Sequence, residues 1–265
     1  MPNVPISRTS RRQQTKAPVA GRESTATRSP RVARRKLETR LRLLDAAFAL
    51  VTEKGMESVT ITEITNAADV GFGSFYNHFE SKEGIFAALV EWLFEDFATT
   101  LDRLATGLSD PAEAIAVSVR HTLLRAYREP VWGQLLIREG LSTRVLTRGL
   151  GQRLLRDTKR GISERRFMVA DELMCVFSVI GTVVAAVAAE LHLPGSSKRA
   201  VRARNTFRSR HEKFADSTAA IVLQAFGLKR TEAERIAHRP FPAAPLAASV
   251  SSETAERRQA RKYRL

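Results

Sequence analysis

The chain has 265 residues, of which 43% are hydrophobic and 27% charged, a balance that argues against wholesale disorder. Its single cysteine, Cys175, excludes a disulfide framework and any multi-cysteine zinc or iron–sulfur site, so we expect a cytoplasmic protein with no metal and no cofactor. Its 43 Lys and Arg outnumber its 28 Asp and Glu, and the net charge of +15 predicts a polyanionic partner, either nucleic acid or an anionic membrane surface.

Much of the positive charge lies at the amino end. Residues 1–36 hold ten Lys or Arg and one acid, with few large apolar side chains, which predicts a disordered basic arm. No continuous apolar stretch suggests a secretory signal, whereas an organelle transit peptide remains an alternative. The arm is either a solubilising tail or a DNA-contacting extension. Four basic residues at its junction with the first helix favour the extension: Arg31, Arg34, Arg35 and Lys36.

Four helices are predicted next. Apolar residues on one stripe (Leu37, Leu41, Leu44, Phe48, Val51) indicate a first helix that ends at Gly55. A capping box from Thr60 to Glu63 begins the second, and its inner face is predicted to hold Ile64, Ala67 and Ala68. A turn at Asp69 leads to a short third helix over about Phe72–Phe79. Ser81 caps the fourth, whose inner stripe is Ile85, Leu89, Leu93 and Phe97.

The remaining pattern is also helical. Helices are predicted over 111–128, 130–138, about 143–160, 168–191, 212–226 and 231–237, and no strand pattern is found. A basic connection over 195–210 and a disordered basic tail over 246–265 complete the chain, and from Asn205 onward the connection is alternatively already helical. The connection is either a solvated loop or a second nucleic-acid contact. We therefore expect an all-α protein with a DNA-binding domain over 37–84 and a ligand-binding and dimerisation domain over 85–245.

The pair of helices around Asp69 has helix-turn-helix spacing, in which the second helix lies in the major groove. The run Ser74-Phe-Tyr-Asn-His-Phe-Glu-Ser-Lys-Glu83 and the residues from Thr60 strongly resemble the TetR family of transcriptional regulators. That resemblance implies a homodimer that binds a palindromic operator and is released by a small-molecule effector. This chain has Asp69 where the family usually has Gly in the turn, and Gly71 where Ser is often the cap.

The DNA contacts follow from chemistry and from the resemblance. Thr60 and nearby helix-start amides can hold a phosphate, and Gly71 and Gly73 allow close approach. Phe72, which can touch a thymine methyl, and Ser74 are the base-edge candidates, although Phe72 is alternatively a core residue. Similarity to the family implies backbone contacts for Tyr76, His78 and Lys82, and Asn77 completes the polar face; a buried, hydrogen-bonded His78 is the other interpretation.

Residues 37–82 hold four Lys or Arg and seven acids, so electrostatic attraction to DNA is expected from the arm, including Arg34, Arg35 and Lys36.

Residues 173–189 hold no charge, which favours a buried helix over a membrane span. With helix 212–226 it resembles the family's dimer interface, for which we predict Val176, Val183, Val187, Phe214, Ile221, Val222 and Ala225. Candidate pocket residues, each alternatively a core residue, are His121, Tyr127, Trp132, Leu135, Met174 and Phe177.

Two other functions are considered. A non-specific architectural DNA-binding protein fits the charge, but it does not require a recognition helix or a large helical domain. An all-helical enzyme finds no support, because the metal-protease, serine-hydrolase and complete phosphate-loop motifs are missing from the sequence. We therefore expect no catalytic residues and no enzyme activity.

For the expected regulator, a ligand that favours a conformation with wrongly spaced recognition helices would release the DNA.

Overall fold

A computed structural model describes residues 30–142, 148–192 and 204–241, and within these ranges the regular structure is entirely helical. The helices are α1 (Pro30–Lys54), α2 (Ile61–Ala68), α3 (Phe72–Phe75), α4 (Lys82–Ala105), α5 (Pro111–Arg128), α6 (Pro130–Glu139), α7 (Gly149–Ser163), α8 (Glu172–His192), α9 (Arg204–Ala225) and α10 (Arg230–Ala237). The predicted all-α class is therefore confirmed. Most of the arm, the start of the basic connection and the tail over 246–265 lie outside the described residues.

Helix α1 begins earlier than predicted. It starts at Pro30 rather than Leu37, so the part of the arm from Pro30 onward is helical. Pro is favoured in the first turn of a helix, and Arg, Lys and Ala are strong helix formers. Apolar periodicity reveals only a helix that is partly buried, and here residues 31–38 are all exposed, including Leu37. Helix α9 begins at Arg204, inside the basic connection and one residue before Asn205, from which the sequence also allows a helix.

Local capping sets several of the other helix starts. Thr60 forms the predicted capping box with Glu63, Ser81 accepts a hydrogen bond from the Gly84 amide, and Asp110 accepts one from the Ala112 amide. These bonds satisfy backbone amides that have no partner within the helix. The inner stripe of α4 is buried as predicted: Ile85, Leu89, Leu93 and Phe97.

The chain from Thr39 onward forms a compact unit in which α5 is central. It packs against α4, α6, α7, α8, α9 and α10. The buried Arg120 of α5 forms an ion pair with Asp216 of α9 at 2.6 Å and donates to the Arg239 carbonyl at 2.7 Å. Burying this arginine is tolerable because a carboxylate balances its charge and a carbonyl oxygen accepts a hydrogen bond from it.

Candidate functional site

The turn between α2 and α3 is built by a residue in the left-handed conformation. Asp69 has φ 53° and ψ 54°, and its amide donates to the Asn66 and Thr65 carbonyls. Asp tolerates this region better than most residues, so the absence of the usual glycine does not disrupt the turn. Gly71 then precedes α3 in an extended conformation with no side-chain cap. This geometry is that of a helix-turn-helix, although α3 is shorter than the predicted helix.

A buried aromatic pair holds α3 in place. The rings of Phe75 and Phe79 lie 5.6 Å apart and are both buried, as predicted. The Arg40 guanidinium lies 4.4 Å from the centre of the Phe79 ring and donates to the His78 carbonyl at 2.9 Å. Arg40 therefore clamps the end of the recognition segment to α1.

The opposite face of α3 is open to solvent. Phe72 and Tyr76 are each 52% exposed, and Gly71, Gly73 and Asn77 are exposed as well. The core interpretation of Phe72 is therefore wrong. Ser74 and His78 are half-buried, so the side chain of His78 is only partly accessible to a partner. The predicted contacts from Gly71 to His78 thus lie on one short segment, and the first side chain of that segment, Phe72, is apolar.

Two predicted phosphate contacts already have partners within the protein. The Thr60 hydroxyl accepts from the Glu63 amide at 3.3 Å and donates to the Glu63 carboxylate at 2.8 Å. The Lys82 ammonium group donates to the Glu57 carbonyl at 2.9 Å. Hydrogen bonds from Lys54, first, and from Thr60 lower the pKa of Glu63 to about 2, so a fixed negative charge lies beside Thr60. This charge makes the Thr60 side chain a poor phosphate ligand.

Sequence reasoning missed two arginines of α1. Arg40 anchors the recognition segment, and the exposed Arg42 reaches the Asp69 carbonyl at 3.5 Å. Arg42 therefore places a positive charge beside the turn of an otherwise acidic module. Charge counting could not separate these two from other surface arginines, since neither lies in a motif. The predicted basic contacts Arg31, Arg34, Arg35 and Lys36 are all exposed on the first turns of α1.

A cavity of about 100 Å³ lies among α4, α5, α6, α7 and α8. Its wall is mostly apolar, with contributions that include Leu101, Ile115, Val119, Leu136, Leu154, Val179, Ile180, Val183 and Val184. One edge is charged and includes Asp102, Arg153 and Asp157. The cavity therefore combines an apolar wall with a few polar groups, which is typical of a small-molecule site.

The charged edge is an ion-pair network between α4 and α7. Arg153 contacts Asp102 at 2.5 Å and Glu95 at 2.8 Å, and Arg156 contacts the other Asp102 oxygen at 2.8 Å. Burial alone would raise the pKa of Asp102, but hydrogen bonds from Arg153 and Arg156 outweigh it and lower that pKa. Asp102 is therefore a carboxylate at neutral pH, an acceptor already shared with two guanidinium groups.

None of the six predicted pocket residues lines this cavity. Four are used elsewhere: Trp132 is fully buried against Phe94 and Phe97, Leu135 is in the core, the His121 ring packs on Phe241, and Tyr127 stacks on His211. Met174 and Phe177 lie on the surface, 60% and 36% exposed. Helical periodicity identifies buried positions, but it does not tell which buried positions border an empty space.

Helices α8 and α9 each expose large apolar side chains. Leu173, Met174, Phe177 and Ile221 are exposed, and Ile221 is 57% accessible. Of the predicted interface residues, Ala225 is also exposed, Phe214 and Val183 are half-buried, and Val183 lines the cavity. Val176, Val187 and Val222 are buried in the protein's own core, so they are not available to a partner.

Helix α8 is long and apolar enough to cross a membrane by length and composition, and 22% of its most apolar stretch is buried. The helix predicted to be buried is therefore only partly buried in the single chain, and one such helix is weak evidence for a membrane span. Its cysteine, Cys175, is buried, and this burial raises the pKa of the thiol. A raised pKa keeps the thiol protonated and unreactive at neutral pH.

A helix-turn-helix that presents an open recognition face, joined to a helical domain with an internal cavity, defines a DNA-binding regulator. Comparison with known proteins agrees. The family model described as bacterial regulatory proteins of the tetR family matches residues 43–89, and the tetracyclin repressor-like C-terminal domain matches residues 110–239. The structure of RolR in complex with resorcinol is 33% identical in sequence, with a TM-score of 0.63; the match covers 79% of this chain and 98% of RolR.

Curated relatives are also transcriptional regulators. The repressor KstR2 of Rhodococcus jostii (strain RHA1) is 32% identical over 101 residues, which are 35% of this chain and 50% of KstR2. The probable regulator YttP of Bacillus subtilis (strain 168) is 27% identical over 120 residues, 41% of this chain and 58% of YttP. The matched stretches thus span about half the length of these relatives. The chain belongs to the TetR family of bacterial transcription regulators.

Proposed function

We propose that this regulator is a repressor that binds a palindromic operator as a homodimer and is released by a small hydroxylated aromatic ligand. The observation that carries the proposal is the pairing of an open recognition face on α3 with a cavity that α4 helps to line. Since α4 begins directly after the recognition segment, a change at the cavity can be transmitted along one helix to the DNA-binding domain.

The DNA-binding part of the proposal rests on the exposed face of the recognition segment, which begins at Phe72. Its exposed and half-exposed residues project from a segment that Phe75 and Arg40 hold rigidly. The recognition helix of such modules lies in the major groove, and a two-fold dimer presents two of them about 34–36 Å apart. The candidate contacts are Gly71, Phe72, Gly73, Ser74, Tyr76, Asn77 and His78, with Arg42 and Lys82 beside them.

The dimer part of the proposal rests on the exposed apolar side chains of α8 and α9. Leu173, Met174 and Phe177 are exposed within five residues of α8, and α9 exposes Ile221. A contiguous apolar patch usually marks an interaction surface. A second copy of the chain supplies a matching apolar face, because a two-fold interface brings the same patch of both copies together.

The ligand part of the proposal rests on the size and chemistry of the cavity. An engineered apolar cavity of roughly 150 Å³ is known to hold benzene, so a partly open cavity of about 100 Å³ is on the scale of a single ring. Ring hydroxyls can donate to the carboxylates of Asp102 and Asp157, which supply hydrogen-bonding groups at the rim of an apolar site. RolR, whose structure was determined with resorcinol, is similar over most of this chain.

Selection of bound duplexes from a random DNA pool tests the DNA-binding part of the proposal. We expect a two-fold symmetric consensus whose half-sites are centred about one helical turn apart. A pool that shows no enrichment, together with equal binding to every competitor duplex, would instead identify a non-specific architectural protein.

Ligand release is tested by titrating resorcinol into the protein–operator complex and following fluorescence anisotropy. We expect Asp102→Asn to keep operator binding but to need about tenfold more resorcinol for release, because a hydrogen bond to a charged group is removed. Glu91→Gln is the matched control: Glu91 is also an acid of α4 and is paired with Arg148, which directly precedes α7, but it lies outside this cavity. Equal resorcinol sensitivity in the two variants would contradict the proposed site.

A further inference from the structure

The residue that leads the recognition segment is an exposed phenylalanine. Phe72 is 52% accessible at the first position of α3, beside the turn that starts at Asp69. A single exposed apolar side chain is ordinary on a protein surface and carries no inference by itself. The surroundings of Phe72, however, are unusual in two respects.

First, the ring is flanked by two glycines that the fold does not need. A Cβ on Gly73 would meet no atom within 4 Å, and one on Gly71 would meet only the Ser74 hydroxyl, at 4.0 Å. Neither glycine adopts a positive φ angle. Glycine within a helix costs stability relative to alanine, so Gly73 is unfavourable for the protein alone. Because Gly73 has no side chain, a partner can approach the Phe72 ring and the backbone closely.

Second, the ring is held in place. The ring centres of Phe72 and Tyr76 lie 5.7 Å apart in an edge-on arrangement, and Tyr76 packs edge-on against Phe75 at 5.4 Å. Phe75 is fully buried. An aromatic chain therefore connects the exposed ring to the core, and the ring offers a fixed apolar surface in place of a freely rotating side chain.

The major groove offers one apolar group to such a surface. Thymine carries a C5-methyl group there, whereas the other base edges display hydrogen-bond donors and acceptors that a phenyl ring cannot satisfy. We propose that Phe72 is a specificity-determining residue that reads a pyrimidine C5-methyl group, that of a thymine, in each operator half-site. This inference rests on the proposed function, because it requires a specific operator.

The test uses the full-length protein and the operator obtained by selection. Each thymine is replaced in turn by deoxyuridine, which removes the methyl group and preserves base pairing. At one position per half-site we expect binding by the wild type to weaken about fourfold, the value for burying one methylene-sized group. Phe72→Ala should bind the original operator more weakly and should be insensitive to uracil at that position, whereas Phe72→Leu should keep part of the sensitivity.

Asn77→Ala is the matched control: Asn77 is an exposed candidate contact on the same segment, so its loss should weaken binding to both operators and leave the ratio of their affinities unchanged. Replacing the sensitive T·A pair by C·G and then by 5-methylcytosine·G separates the methyl group from the thymine O4. Recovery of affinity with the methylated cytosine supports the methyl contact.

Several results would overturn the inference. These are a consensus without thymine in the half-site, uracil effects that are the same in the wild type and in Phe72→Ala, or no recovery with 5-methylcytosine. Failure of the proposed function looks different, because selection would then yield no consensus and the wild type would bind all duplexes alike. Circular dichroism of Phe72→Ala should match the wild type, since the removed ring is half-exposed.

Discussion

Glycine has opposite roles at two positions of this chain. Gly73 has open space where a side chain would stand, whereas Gly227 has φ +89° and a Cβ there would lie 2.7 Å from the Met168 carbonyl oxygen. We predict that Gly73→Ala leaves the free energy of unfolding unchanged or raises it by up to about 1 kcal/mol, while it weakens operator binding. Urea unfolding and anisotropy on the selected operator measure the two quantities.

Gly227→Ala is the matched comparison. It should lower stability, because a positive φ and a backbone clash both oppose a side chain. Gly227 lies far along the sequence from the recognition segment, so whatever protein remains folded should bind the operator normally. A Gly73→Ala variant that is destabilised while its folded fraction binds at full affinity would contradict the view that Gly73 serves the partner rather than the fold.

The charge of Glu63 makes the capping box sensitive to acid. Hydrogen bonds from Lys54 and Thr60 lower its pKa from 4.5 to about 2. A carboxyl group with a depressed pKa in the folded state contributes stability above its unfolded pKa, and that contribution disappears as the pH falls from about 4.5 towards 2. We therefore predict that Glu63→Gln flattens the fall of the melting temperature across this interval. Glu53→Gln, an exposed acid of α1, is the control, and an equal change in both variants would refute the prediction.

At the level of single elements, the start of α1 concentrates positive charge on an exposed helix. Replacing Arg31, Arg34, Arg35 and Lys36 by Gln preserves helix propensity and removes four charges. We predict weaker operator binding and a shallower dependence of log Kd on log salt concentration, by about one for each phosphate that the variant no longer neutralises. Titrations between low and moderate salt give this slope, and a slope that matches the wild type would show that these residues do not bind phosphate.

The helix starts show which parts of the fold the sequence predicts and which parts it does not. Caps at Thr60, Ser81 and Asp110 were predictable because each depends on a local hydrogen bond with fixed spacing. The first turns of α1 were not, because a helix start rich in exposed basic residues has no apolar stripe. For the site, the recognition face followed from a contiguous motif. The cavity did not, since it is assembled from five helices and depends on how their side chains fail to fill the space between them.

For the whole molecule, the question is what covers the exposed apolar side chains of α8 and α9. Ile221 is one of them, and a glutamate there would bring two charges into a two-fold interface. Burying an unpaired charge costs several kcal/mol, so we predict that Ile221→Glu is a monomer at micromolar concentration, as measured by sedimentation equilibrium. Operator affinity should fall at least about a hundredfold, because one half-site then binds without the other.

Leu141→Glu distinguishes this effect from a general effect of charge on exposed apolar groups. Leu141 is 58% exposed, as accessible as Ile221, but it follows α6 and is not part of α8 or α9. This variant should remain dimeric and bind the operator normally. If instead Ile221→Glu is dimeric and Leu141→Glu is monomeric, the interface lies on another surface, and the spacing of the two recognition segments must be set from there. Since an Ile221→Glu monomer can bind either half-site of a palindrome, uracil in one half-site should change its affinity little, because the intact half-site is still available.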